Sequence, residues 1–310
     1  MIDKINLNGT VYTLAGSGGS TPTTSGLKVL CIGNSFCENM TEYLTDICTN
    51  IGVEGLTVYN LMLGGTTLVN RWYYWMTSQT LELRCGTAIP EITAIDYTSA
   101  HNLLAYPWDV VIFQEFDVKG TSADDEAQMT ALRHLLAHTR YTCTNPNVRI
   151  GLQVEWPRSK VDAGSTSPVG TTGFAGIAAL AKKMIDENSL DFLIPSGTAV
   201  MNAAMNSTIN TRISTDTDYG EGGNALLEKD KLHLADGVGK YIAASCFIEA
   251  VVRPVYGVSI TDSTYTKAAT SGMVGSIALT NSNRNQVHQA VLYAVVNPYE
   301  ISTLDFKDLV

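Results

Sequence analysis

The chain has 310 residues, 45% of them apolar and 16% charged, with a net charge of -10 at neutral pH. That composition supports one sizeable α/β core, or at most two domains, and excludes a wholly disordered chain. The negative balance disfavours nucleic acid and anionic membrane surfaces as partners, and no run of about eighteen apolar residues marks a membrane span.

Residues 1–14 read as a hairpin, with Asn8-Gly9 as a type I′ turn signal between short β-prone runs. Gly16 to Gly26, GSGGSTPTTSG, has the composition of a flexible linker. Residues 1–26 are therefore expected to be an appendage, suited to oligomerisation or attachment to a larger assembly, and 27–310 the functional domain. The N-terminus lacks the apolar segment of a signal peptide, so a bacterial cytoplasmic or phage-particle location is expected. The six cysteines, Cys31, Cys37, Cys48, Cys85, Cys143 and Cys246, are scattered without a CxxC pair and read as free thiols.

From Leu27 the chain alternates strand and helix. Leu27–Ile32 is a short apolar strand ending at Gly33. Met40, Tyr43, Leu44, Ile47, Cys48 and Ile51 then recur at helical spacing. Strands follow at Leu56–Leu63, closed by Gly64-Gly65, and at Val110–Phe113. Ser122, with Asp125 three places on, opens a helix by a capping-box pattern. Val148, Ile150, Leu152 and Val154 alternate as a fourth strand. Phe174, Ile177, Ala181, Met184 and Ile185 mark a helix, and Phe192–Ile194 is a fifth strand closed by Pro195. A helix starts near Asp236 and carries Val238, Ile242, Phe247 and Val251. Residues 255–282 read as irregular or β, and a last helix runs from about Asn283 to Val296. This rhythm predicts a parallel sheet with helices on both faces, a three-layer α/β/α sandwich.

In such sheets ligands bind beyond the carboxyl ends of the strands. There the sequence places Gly33-Asn34-Ser35-Phe36, Gly64-Gly65-Thr66 and Gln114-Glu115, with Asp230-Lys231-Leu232-His233 arriving from a distant segment. The set suits acyl transfer. A serine hydroxyl needs a base to take its proton, His233 can be that base, and Asp230 can hold the imidazole. Ser35 opens a helix, so its N–H can face a developing oxyanion, with the Gly65 N–H and the Gln114 amide as further donors. Each feature also has a plain structural explanation. An isolated serine after a strand usually caps a helix, a lone histidine packs, and a glycine pair makes a turn.

Other groups carry less. His134 and His138 share a helix face at metal-ligand spacing but lack a third ligand, so no metal is expected. Asp216, Asp218 and Glu221 lie in a glycine-rich loop without EF-hand spacing. Trp72, Tyr73, Tyr74 and Trp75 form an aromatic run, some of it core, with one or two rings able to stack on a sugar.

KVLCIGNSFCENMTEYL, NLMLGGTTL and DKLHLADGVGKYIAA resemble, in order, the blocks of the SGNH/GDSL hydrolase superfamily over residues 27–253. PWDVVIFQE, Pro107–Glu115, is similar to a bacterial branch of uncharacterised domains within it. The resemblance implies a flavodoxin-like sheet, Ser35 as nucleophile, Asp230 and His233 as acid and base, Gly65 as oxyanion donor and no cofactor. Where the superfamily has Gly-x-Asn-Asp, this chain has Phe113-Gln114-Glu115, an amide on an arm one methylene longer. There is no Gly-x-Ser-x-Gly elbow, which argues against an ordinary α/β-hydrolase. The expected activity is hydrolysis of an ester, with an O-acetyl group on a carbohydrate as substrate. The alternatives are a lipase or thioesterase with the same machinery, and a non-catalytic, virion- or surface-associated binding module.

Overall fold

The computed structural model describes residues 4–7, 10–13, 26–77, 81–85, 92–95, 103–115, 122–158, 170–206, 209, 226–228, 230, 232–270 and 276–302, with backbone alone at 4–7, 10–13, 81–85, 92–95, 122, 170 and 171. Strands β1 (Lys4–Leu7) and β2 (Thr10–Thr13) pair antiparallel as a two-stranded ladder separate from the main sheet. The linker and the acidic loop at 216–221 lie outside the described residues.

The main sheet is built from β3 (Lys28–Gly33), β4 (Thr57–Met62), β5 (Leu81–Cys85), β6 (Ile92–Ile95), β7 (Val110–Gln114), β8 (Arg149–Gln153) and β9 (Phe192–Ile194), in the order β6-β5-β4-β3-β7-β8-β9. β4, β3, β7, β8 and β9 run parallel. Counted along the chain these five stand in the order 2-1-3-4-5, the flavodoxin-like arrangement. β5 and β6 extend the β4 edge antiparallel.

Helices α1 (Ser35–Thr41), α2 (Leu44–Asn50), α3 (Leu68–Met76), α4 (Ser122–Thr142), α5 (Gly170–Glu187), α6 (Ser196–Ala204), α7 (Val238–Phe247), α8 (Arg253–Tyr256) and α9 (Arg284–Val296) cover the sheet. A π-helical stretch, Ile248–Val252, joins α7 to α8. The side chains of β3 show why both faces are covered. Val29 and Cys31 enter the core shared with α1, α2, α6, α7 and α9, while Leu30 and Ile32 enter the core shared with α3, α4 and α5. A strand buried on both sides reads as an unbroken apolar run, and each large side chain so buried contributes about 1.5–3 kcal/mol.

One expectation changes. The helix read through Met40–Ile51 is two helices, broken at Glu42-Tyr43, where Tyr43 leaves helical geometry with ψ near 0°. The strands β5 and β6 and the helix α6 were not anticipated. Cys31, Cys37, Cys48, Cys143 and Cys246 are buried free thiols, and the Cys85 side chain lies outside the described residues. Among the described residues no helix is long and apolar enough to cross a membrane.

Candidate active site

The site grows out of the carboxyl end of β3. Gly33 has no side chain because none fits: a Cβ there would meet Cys37 Sγ at 2.4 Å and Gln114 Oε1 at 2.8 Å. Asn34 is the cap of α1, its side-chain carbonyl accepting from the Phe36 N–H at 2.9 Å. The role that a serine after a strand usually fills is thus taken by Asn34. The Ser35 hydroxyl, at the first helical position, is left for other use.

That hydroxyl lies 2.7 Å from His233 Nε2. His233 Nδ1 is hydrogen-bonded to Asp230 Oδ2. Asp230 Oδ1 accepts from the Leu232 and His233 N–H groups, each at 3.0 Å. With Nδ1–H given to the carboxylate, Nε2 keeps its lone pair for the Ser35 proton. Burial opposes ionisation of Asp230, but the bonds from the His233 ring and the two amides outweigh it and hold its carboxyl below the usual range. The imidazole and carboxylate are partly open, at 29% and 44% side-chain exposure, so a substrate can reach them.

The loop bearing His233 is pinned on several sides. The Leu234 N–H donates to Asn39 Oδ1 on α1 at 2.8 Å. The Glu228 N–H donates to the His233 carbonyl, and the Ala235 N–H to the Leu226 carbonyl, both at 2.8 Å. Trp156 Nε1 donates to the Leu232 carbonyl at 2.8 Å, and its ring stacks on Phe36 with centroids 4.1 Å apart. Phe36 in turn meets the His233 ring edge-on at 6.3 Å.

Two backbone N–H groups lie just past the carboxyl ends of β3 and β4. Neither the Ser35 N–H nor the Gly65 N–H is taken by another described residue. Gly65 has φ +63°, a left-handed conformation that glycine adopts without strain, and it is exposed after β4. Gln114, buried at the end of β7, accepts from the Asn34 N–H through Oε1 at 3.0 Å and donates through Nε2 to the Glu115 carbonyl. One of its two amide hydrogens is engaged in this way. The Asn34 side chain also donates to the Thr66 carbonyl at 3.2 Å, joining the β3 end to the glycine turn.

The charges behind the site are buried. Arg71 on α3 is 2% exposed. Its Nη1 donates to the Leu61 carbonyl at 3.2 Å, and its Nη2 to the Gly33 carbonyl, to Thr66 Oγ1 at 3.1 Å and to the Leu63 carbonyl at 3.5 Å. Burial lowers its pKa to about 10, so it stays charged at neutral pH. Glu115 is fully buried beside Gln114. Burial, then the neighbouring Glu155 charge, pushes its carboxyl well above the usual range.

The sequence reading singled out Ser35, Asp230, His233, Gly65 and Gln114, and the first three form one hydrogen-bonded chain. It missed Asn34 as the cap, for which an asparagine before a helix is a sufficient signal. It also missed Arg71, the lone charged residue of α3, and the supports Asn39 and Trp156. His134 lies against Trp72 with ring centroids 4.8 Å apart, and His138 Nε2 accepts from Trp75 Nε1 at 3.0 Å. Among the described residues no three His, Cys, Asp or Glu side chains are grouped to hold a metal. Within the aromatic run Trp75 is core, Trp72 is half-buried and Tyr73 is 59% exposed.

Residues 28–283 match the family model described as "Domain of unknown function (DUF4886)". By structure the chain is similar to a DUF4886 family protein from Bacteroides uniformis, with a TM-score of 0.68 and 18% identity over 90% of this chain and 98% of that one. That likeness is one of fold. Lower TM-scores relate it to a candidate SGNH hydrolase from Slackia heliotrinireducens, 0.46 with 15% identity over 72% of this chain and 98% of that one. A catalytic mutant of an acetylxylan esterase from Geobacillus stearothermophilus gives 0.45 with 13% identity, over 76% and 97%. By sequence, no curated protein matches.

Proposed function

The chain belongs to the DUF4886 family, and we propose that it is a serine ester hydrolase of the SGNH type, with Ser35, His233 and Asp230 as its triad. One observation carries this reading: Asn34 caps the helix, and the Ser35 hydroxyl is instead 2.7 Å from an imidazole whose other nitrogen is bonded to a carboxylate. A serine, histidine and aspartate that merely packed would have no reason to assemble in that order.

The chemistry follows from the bonds. His233 Nε2 takes the Ser35 proton as Oγ attacks the ester carbonyl, and Asp230 stabilises the resulting imidazolium. Negative charge gathers on the former carbonyl oxygen, where the Ser35 and Gly65 N–H groups and the second Gln114 amide hydrogen can meet it. The imidazolium then protonates the leaving alcohol as the tetrahedral intermediate collapses to an acyl-serine. Water, deprotonated by His233, attacks that acyl group and releases the acid, returning the proton to Ser35.

The finer reading is that the substrate is an O-acetyl group on a carbohydrate. Exposed Tyr73 and half-buried Trp72 lie on the helix that directly follows the glycine turn, and both offer ring faces of the kind on which sugars stack. The test is an activity screen over p-nitrophenyl esters of increasing acyl length and over acetylated polysaccharides, with Ser35→Ala as control. Serine-dependent release favouring acetate supports the reading. Preference for long acyl chains would redirect the substrate to lipids, and absence of turnover on every ester would count against the enzyme.

A further inference from the structure

Arg71 is a buried cation with no carboxylate beside it among the described residues. Removing a guanidinium from water without an ionic partner is costly, so what it holds must repay that cost. Its acceptors come from two strand ends and one turn: the Gly33 carbonyl of β3, the Leu61 carbonyl of β4, and the Leu63 carbonyl and Thr66 hydroxyl of the glycine turn. Thr66 itself donates to the Leu63 carbonyl at 2.8 Å, so its oxygen is oriented to accept from Arg71.

Two of the three clamped carbonyls share a register with the proposed oxyanion donors. Gly33 C=O lies one peptide unit before the Ser35 N–H, and Leu63 C=O lies one peptide unit before the Gly65 N–H. We infer that Arg71 is a positioning residue for the oxyanion hole: its planar fork locks the β3 end and the glycine turn to each other, and so fixes the Ser35 and Gly65 N–H groups relative to one point. The inference rests on the ester-hydrolase reading above. Arginine suits the task because its two terminal nitrogens reach separate strand ends from one rigid plane, which a lysine ammonium on a flexible stem cannot reproduce. The charge, held in place and not neutralised by an acid, also favours anionic character at the strand ends.

The experiment compares Arg71→Lys, Arg71→Met and Thr66→Val in the full chain. It measures melting temperature, kcat and KM on p-nitrophenyl acetate, and the rate at which a fluorophosphonate labels Ser35. Misplaced oxyanion donors lower kcat by up to roughly a hundred- to a thousandfold, the range for losing one such donor, while KM stays within a few-fold. Labelling should slow in parallel, because the phosphonyl oxygen uses the same hole. Arg71→Lys should lie between wild type and Arg71→Met, and Thr66→Val should show a smaller loss in the same sense. A folded Arg71 variant with wild-type kcat and labelling rate would overturn the inference, whatever its melting temperature. If both Arg71 variants fail to fold, wild-type kinetics in Thr66→Val overturn it instead. Failure of the underlying reading is distinguishable, since it shows in the unmutated protein as neither hydrolysis nor labelling at Ser35, and it takes the inference with it.

Discussion

At Asn34 and Ser35 two adjacent polar residues divide two tasks: either could cap the helix, but only the serine carries a hydroxyl that a histidine can activate. Asn34 caps α1 and ties β3 to β7 and to the glycine turn, which frees the Ser35 hydroxyl for His233. Gln114 is the residue whose role is most exposed to test. Its carbonyl accepts the Asn34 N–H, and one amide hydrogen goes to the Glu115 carbonyl. If the other meets the oxyanion, Gln114→Ala lowers kcat by roughly a hundred- to a thousandfold with little change in KM. Steady-state kinetics at wild-type kcat would reduce Gln114 to a strut between strand ends. The hydrogen-bonded chain Ser35–His233–Asp230 drew attention in the sequence because its members sit in short motifs, Gly-Asn-Ser and Asp-x-x-His, whose spacing is itself geometric. Asn39 and Trp156 did not, because their partners lie 195 and 76 residues away, and neither did the Arg71 bond to Gly33, 38 residues back. No local pattern records such a distance.

Elements were legible where burial is one-sided or continuous. Four of the five parallel strands stood out as apolar runs and β8 as an alternation, and Phe192–Ile194 was found to the residue. The helix α6 was not, since every one of its residues is buried and it carries no polar stripe to set a period. Leu81-Glu82-Leu83-Arg84-Cys85 does alternate with period two, a signal for β5 that a reading weighted towards parallel strands passed over. The helix break at Glu42-Tyr43 is invisible to periodicity, because the apolar spacing runs through it unbroken. The link between α1 and the His233 loop is the element-level feature that sets the Ser35–His233 distance. Asn39→Ala leaves the buried Leu234 N–H without its acceptor, which costs about 1–3 kcal/mol and should lower both melting temperature and kcat. Trp156→Phe keeps a ring against Phe36 but loses the bond to the Leu232 carbonyl. A milder fall in kcat with a smaller thermal shift is expected there. Unchanged kinetics in both variants would show that the loop holds its place without these supports.

For the whole molecule, the site is set at the carboxyl ends of central strands, where the fold also buries acid. Glu115 is fully buried with its carboxyl held well above its ordinary value of 4.5, by burial first and the Glu155 charge second. Once pH exceeds that ordinary value, the unfolded chain has released a proton that the folded chain still holds. Stability is therefore lost as pH rises from about 4.5 through the raised folded value. Glu115→Gln copies the protonated form and should raise the melting temperature at neutral pH, with the gain shrinking as pH falls towards 4.5. Paired thermal melts across pH check this, and a gain that is absent or independent of pH would contradict it. The account as a whole stands on Ser35 as nucleophile, and its most direct measurement is peptide mass spectrometry after incubation with a fluorophosphonate probe. The account predicts a single adduct on the peptide containing Gly33-Asn34-Ser35-Phe36, absent in Ser35→Ala and strongly slowed in His233→Ala. An adduct on a different serine, or ester turnover at the wild-type rate by Ser35→Ala, would contradict it.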